Sequence, residues 1–207
     1  SIRFLEFVCK INMSKEFSKY NDKQLFESCR NNQISKDELF TELYTRYSQR
    51  IYAYCLRVLS TIEDAKDVFQ ESFISFYKSD KFNNLEFQNT SVFGYLLIIT
   101  RNVCLNHKRT SVELVNIDDF LIGFNDSRYE EKELLKLISM ALEFLDIQYR
   151  EPFVLRQYEG LSYTEIAEII GCNESTIRNR VWRAKDKIRE ILAPYIDDLN
   201  KQSKVNA

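Results

Sequence analysis

Between Ser162 and Lys187 the chain carries the punctuation of two helices joined by a tight turn, and this stretch limits the possible folds more than any other. Ser162 followed three residues later by Glu165 is a capping box, which takes up backbone N–H groups that the first helical turn leaves unpaired. Ile166, Ala167, Ile169 and Ile170 give the first helix one apolar side, with Ala167 small enough for a second helix to cross closely. Gly171 can take the left-handed conformation that ends a helix, and Asn173 is a good cap for the next. In that second helix Ile177, Val181, Ala184 and Ile188 share a buried face. Ser175, Arg178, Asn179, Trp182, Arg183 and Asp186 are left outside, with Thr176 and Arg180 at the flanks.

This is the form of a DNA-reading helix-turn-helix. Arginine offers forked donors to guanine edges or phosphates, and asparagine pairs with adenine. The candidate contacts are therefore Ser175, Thr176, Arg178, Asn179, Trp182 and Arg183. A hairpin with a solvated charged face is the plain alternative, and it accounts poorly for a cationic row that includes an outward tryptophan.

Composition sets the fold class around that stretch. Four Gly and two Pro in 207 residues are too few for many strands and tight hairpins, so the chain is expected to be all-α, with length for one large domain or two small helical domains. The net charge of −2 shows that bulk electrostatics cannot carry it onto nucleic acid, so contact must come from local patches or a partner. Five scattered cysteines without a C-x-x-C pair, and one histidine, give no zinc constellation, so neither metal nor other cofactor is expected, and the compartment is read as a reducing cytoplasm. No run has the length of a membrane span, and the opening SIRFLEFVCKIN lacks a cleavage site, which argues against membrane insertion and against a signal peptide.

Taken in order, Asp22 to Arg30 reads as a short helix capped by Asn21, with Leu25, Phe26 and Cys29 inward. Ser35 and Glu38 open a long helix to about Leu59, striped by Leu39/Phe40, Leu43/Tyr44, Tyr47, Ile51, Tyr54/Cys55 and Val58/Leu59. Thr61 caps a third helix to about Lys78, with Ala65, Val68, Phe69, Phe73 and Phe76 inside. Glu63, Asp64, Asp67, Gln70 and Glu71 crowd its other side, either as a solvated face or as a dock for a basic partner. Lys81 to Thr90 breaks the helical pattern. Val92 to Arg109 is a helix without an acidic residue, and Tyr95, Arg101, Asn102, Asn106 and Lys108 supply the ring and polar heads used on single-stranded DNA. Thr110 to Ser127 holds Glu113, Asp118, Asp119 and Asp126 with no basic residue and reads as a connector. Beyond it, Pro152 suits the first turn of a helix, Gly160 closes that helix, and Pro194 stops the last one. The expected organisation is an extension over 1–21, a first domain over 22–109, an acidic linker over 110–127, a second domain over 128–195 and a tail over 196–207.

These blocks together resemble the small, extracytoplasmic-function sigma factors of bacterial RNA polymerase. EDAKDVFQESFISFY is similar to the family's clamp-binding helix, whose D-A-x-D-x-x-Q-x-x-F pattern is met by Asp64, Ala65, Asp67, Gln70 and Phe73. FGYLLIITRNVCLNHKR resembles its promoter-melting helix, with Tyr95 where Trp is usual, Thr100 where a smaller residue is usual and Asn106 in place of Asp. The run from Leu145 to Leu192 resembles the domain that reads the −35 element. The resemblance implies that Asp64, Asp67, Gln70 and Glu71 dock on the clamp coiled coil of core polymerase, with the flap as a further contact. It implies that Asn89, Tyr95, Arg101, Asn102, Asn106 and Lys108 serve the −10 element, and that Ser175, Thr176, Arg178, Asn179, Trp182 and Arg183 serve the −35 element. Promoter DNA and a membrane-linked anti-sigma factor are its other implied partners, and no residue is implied to be catalytic. A free-standing dimeric helix-turn-helix regulator would leave the clamp-like and melting segments without a role. A metal-dependent nucleic-acid enzyme would lean on Asp64 and Asp67, which no convergent His or Lys accompanies.

Overall fold

The computed structural model describes residues 19–59, 61–87, 91–108 and 137–205, and among them every regular element is helical. Asn21 and Gln24 form a reciprocal capping box that starts α1 (Asp22–Arg30). A second box, Ser35 with Glu38, starts α2 (Lys36–Val58). Its two hydrogen bonds, the one from the Ser35 backbone foremost, hold the Glu38 carboxyl below the usual carboxylate range. The Thr61 hydroxyl accepts the Asp64 N–H and opens α3 (Ile62–Lys78). Ser79 ends α3 and caps a single-turn helix, α4 (Asp80–Asn83), where the sequence pattern predicts none. The Ser79 side chain serves both ends, donating to the Phe76 carbonyl and accepting the Phe82 N–H. Ser91 then caps α5 (Val92–Lys108).

Helices α1 to α5 close on a core of rings. Phe26, Phe40, Phe73, Phe76 and Phe82 are fully buried, and Phe40 meets Phe73 and Phe82 edge-on at centroid distances of 6.3 and 6.0 Å. Edge-to-face contact places the positive rim of one ring on the negative face of the next and adds about 0.5–1.5 kcal/mol per pair to simple burial. Cys55 on α2 and Cys104 on α5 are buried free thiols, and Cys55 is pushed well above the usual thiol range by its hydrogen bond with Cys104 and by burial.

The second unit has an aliphatic core. Helical residues 137–143 precede α6 (Ile147–Gln157), α7 (Tyr163–Ile170) and α8 (Glu174–Val205). Ala141, Leu142, Leu145, Val154, Leu155, Ile166, Ile177, Val181 and Ala184 are buried among them. Both prolines depart from expectation. Pro152 lies inside α6, and Pro194 lies inside α8 without stopping it. A proline removes one backbone donor and frees the carbonyl four residues earlier. Those carbonyls belong to Gln148 and Glu190, both exposed, so water can take the lost bond and the helices continue.

The two units pack on one another, α2 against α6 and α5 against α7. The connector expected over 110–127, residues 1–18 of the expected extension and Asn89 lie outside the described residues. No helix among the described residues is long and apolar enough to cross a membrane.

Candidate binding faces

The acidic side of α3 divides by what lies beside it. Glu63, Asp67 and Glu71 project into solvent, whereas Asp64 turns toward the end of α5, its Oδ1 3.4 Å from His107 Nδ1. Gln70 stands at the lip of an open groove of about 420 Å³ between α2 and α3. Tyr44, Ser48, Gln49 and Tyr52 form one wall, and Lys66, Phe69, Gln70 and Phe73 the other. Phe69, expected inside, is half-buried on this wall, as is Tyr44. The helical stripe identifies both as apolar and cannot say which apolar residues are left uncovered. A groove with apolar walls and amide side chains at its edge, on the helix that also exposes Glu63, Asp67 and Glu71, suits a helical partner that carries basic side chains.

On α5, Tyr95, Asn102 and Asn106 are spaced seven and four residues apart and so share one side of the helix, with both asparagines exposed. The Tyr95 ring leans on Phe87 at 5.4 Å, and Lys81 Nζ lies 4.8 Å from its centroid, so the ring is held in place with a cation beside it. Lys108 is the last residue of the helix. Arg101 points elsewhere. Its Nε lies 2.9 Å from Glu151 Oε1 on α6, and the same oxygen accepts the Tyr54 hydroxyl at 2.9 Å. The structure thus brings Tyr95, Asn102 and Asn106 together and sets Arg101 apart from them.

The helix-turn-helix forms as the spacing predicts. The Ser162–Glu165 capping box starts α7, and Gly171 ends it with φ 77°, in the left-handed region where a Cβ would be strained. Ser175, Arg178, Asn179, Trp182 and Arg183 are exposed on α8, Thr176 is half-buried, and Trp182 keeps 64% of its surface open. Arg178 is held on several sides. Its Nε donates to Glu174 Oε1 at 2.9 Å, Thr164 Oγ1 donates to Glu174 Oε2 at 2.9 Å, and the Tyr163 ring centroid lies 4.5 Å from the guanidinium carbon. The bonds from Arg178 and Thr164 hold the Glu174 carboxyl below the usual carboxylate range. Sequence reasoning missed Glu174, Thr164 and Tyr163 in this role. The one local signal for it was the spacing of Glu174 and Arg178, which suits a helical ion pair.

Comparison with known proteins follows the same division into two units. Residues 43–112 match the family model for sigma-70 region 2, and residues 135–188 match that for sigma-70 region 4. The chain belongs to the extracytoplasmic-function sigma factors. It is similar to the sigma factor SigE of Mycolicibacterium smegmatis, 29% identical over 74% of this chain and 62% of that one. It is also similar to the RNA polymerase sigma-H factor of Pseudomonas aeruginosa, 28% identical over 84% of this chain and 95% of that one. In fold it matches the sigma factor RpoE of Bartonella quintana, solved with the anti-sigma factor NepR, at a TM-score of 0.63 and 22% identity over 74% of this chain and 96% of that one. The structure of CnrH with the cytosolic domain of CnrY matches at a TM-score of 0.55 and 22% identity, over 84% of this chain and 97% of that one. The sigma factor's region 2 therefore runs from within α2 through α5, and its region 4 covers α6, α7 and about the first half of α8. Among the described residues no group of His, Cys, Asp and Glu is placed to hold a metal.

Proposed function

We propose that this sigma factor docks on core RNA polymerase through α3 and places the enzyme at promoters by two contacts, α8 on the −35 element and α5 on the −10 element. One observation carries the reading: a single chain joins a region 2 fold, with an exposed acidic face on α3 and an aromatic and amide face on α5, to a region 4 helix-turn-helix with an open cationic face. Asp67, Gln70 and Glu71 engage the basic clamp coiled coil, and Asp64 supports them from its place beside His107. A chain of net charge −2 then needs only modest DNA contacts of its own, because the polymerase supplies the bulk attraction. Arg178, Asn179, Trp182 and Arg183, with Ser175 and Thr176, enter the −35 major groove, where each good bidentate base contact is worth roughly 1–3 kcal/mol of discrimination. Tyr95, Asn102, Asn106 and Lys108, joined by Arg101, hold the strand opened at the −10 element. Polymerisation belongs to the partner, and the protein works in the cytoplasm under an anti-sigma factor of the kind seen with its structural neighbours.

Reconstituted transcription tests this. Start sites mapped after overexpression supply candidate promoters, and purified sigma factor with core polymerase is expected to initiate at them. Stable duplex binding by the protein alone, with no initiation when core polymerase is added, would replace the reading with a free-standing regulator.

A further inference from the structure

The turn that ends α4 is built on a strained residue. Two non-glycine residues among those described take a left-handed backbone, Asn32 at φ 56° and Leu85 at φ 55°. Asparagine tolerates it through local hydrogen bonds of its short side chain, whereas a leucine Cβ crowds the neighbouring carbonyl. Leu85 stands in a Schellman turn: its N–H donates to the Phe82 carbonyl at 3.2 Å, and the Glu86 N–H donates to the Lys81 carbonyl at 2.9 Å. Glycine is the usual residue at that place. A strained residue persists only where its surroundings over-determine it.

The surroundings here include two cations from other helices. Arg30, the last residue of α1, donates from Nη2 to the Leu85 carbonyl, and Lys36, the first of α2, donates from Nζ to the Asn83 carbonyl at 2.6 Å. Asn83 ends α4, so its carbonyl has no partner within that helix. The direction of the Leu85 carbonyl follows its own φ and ψ, so a donor fixed on α1 selects the left-handed form. What the turn delivers is Phe87. Its ring is buried against Phe26 at 4.8 Å and Phe76 at 6.0 Å, and it supports the Tyr95 ring at 5.4 Å. Lys81, on the same short helix, places its Nζ 4.8 Å from the Tyr95 centroid. Arg30, Leu85 and Phe87 thus link α1 to the aromatic and amide face of α5.

We infer that Arg30 is a positioning residue for the −10 contact, with Lys36 assisting. By holding the Leu85 carbonyl, Arg30 keeps the turn after α4 in the form that seats Phe87 against Tyr95, and so fixes the ring on which an unpaired base stacks. This rests on the −10 role proposed for Tyr95 and adds residues of α1 and α2 that act without touching DNA. A leucine can stand at a glycine position on these terms: its side chain packs on the ring core, and the arginine supplies the restraint.

The test uses holoenzyme assembled on core polymerase and a labelled single strand that carries the −10 sequence of its mapped promoters. Arg30→Ala is expected to weaken strand binding about fivefold, the low end of what one stacked base contributes, while −35 discrimination and competition for core polymerase stay at the wild-type level. Glycine holds a left-handed turn without help, so Arg30→Ala with Leu85→Gly is expected to restore strand binding although the positive charge is still missing. Lys23→Ala removes the same charge from an exposed place on α1 and is expected to change nothing. Arg30→Lys keeps the charge but loses the fork, and it covers an alanine variant that fails to fold: strand binding should weaken by less, and Leu85→Gly should again restore it. Full strand binding by both Arg30 variants, a double variant as weak as Arg30→Ala, or a loss shared equally with −35 discrimination overturns the inference. Intact strand binding by Tyr95→Ala would instead overturn the −10 reading beneath it.

Discussion

On α8, Arg178 projects into solvent from a cradle of Glu174 and Tyr163, with 60% of its side chain open; on α5, Arg101 turns inward onto Glu151, with 18% open. Both are expected to touch DNA, and both are paired to a glutamate. What separates them is distance along the chain. Glu174 lies four residues from Arg178 on the same helix, so the pair can only orient the arginine. Glu151 belongs to the other unit and shares its oxygen with Tyr54, so the pair joins two bodies and hides the arginine. One carboxylate prepares a contact and the other withholds one.

The largest way to break that comparison is Arg101→Ala. It leaves Glu151 without its cation in a site where Tyr54 is fully buried, and stranding a buried charge costs roughly 3–5 kcal/mol. Glu151 can escape by rehydrating when the units part. The loss should therefore appear as faster amide hydrogen exchange along α6 and the facing side of α2, with the ring core of α1 to α4 still protected. Arg178→Ala, at a solvent-facing position, is expected to leave exchange unchanged throughout. Equal protection in both variants would mean that the two arginines do not differ in role.

Arg178→Ala has its effect on DNA instead. Loss of one forked base contact is expected to remove roughly 1–3 kcal/mol of −35 discrimination, read as a fall in the ratio of cognate to mutated promoter use in reconstituted transcription. The same ratio for Arg101→Ala should stay near that of the wild type. An undiminished ratio with Arg178→Ala would take Arg178 out of the −35 contact.

How far these roles could be read in advance depended on how local their causes are. The caps at Asn21, Ser35, Thr61 and Ser162, the left-handed Gly171 and the buried stripe of α8 are settled within a few residues, and each formed where the spacing predicted. Pro152 and Pro194 mark the limit of that logic, since the first lies deeper in its helix than the first turn and the second does not stop its helix. The partner of Arg101 lies fifty positions away and that of Tyr54 almost a hundred, joined by a packing of units that no local period encodes. The groove is an intermediate case. Its apolar residues were legible, while the exposure of Tyr44 and Phe69 depended on how far apart α2 and α3 end in space.

The docking face sharpens the comparison by a third arrangement, in which a carboxylate is left bare. Asp67→Ala with Gln70→Ala is expected to weaken core-polymerase association about tenfold, the scale of a modest interface contact of about 1 kcal/mol or slightly more. Asp64→Ala, whose carboxylate already faces His107, should weaken it less. Competition against a labelled sigma factor for core enzyme measures both. Normal association of the double variant would show that the rim of the groove is solvated surface.

The smallest effect concerns Glu174, and its pH dependence distinguishes orientation from bulk charge. Bonds from Arg178 and Thr164 depress the carboxyl, so the ionised form is favoured in the folded protein. A depressed carboxyl contributes above its unfolded value of about 4.3 and loses that contribution only as the pH falls through the lower folded value. The Glu174–Arg178 pair should therefore persist unchanged from neutral pH down to the ordinary carboxylate range. Glu174→Gln keeps the shape and removes the charge, which leaves Arg178 freer to swing and the surface less acidic. Non-specific duplex binding is expected to rise, while −35 discrimination falls a few-fold, equally at each pH above that range. A variant that binds all duplexes more tightly with its discrimination intact would reduce Glu174 to a surface charge, and α8 would then present Arg178 through the Tyr163 ring alone.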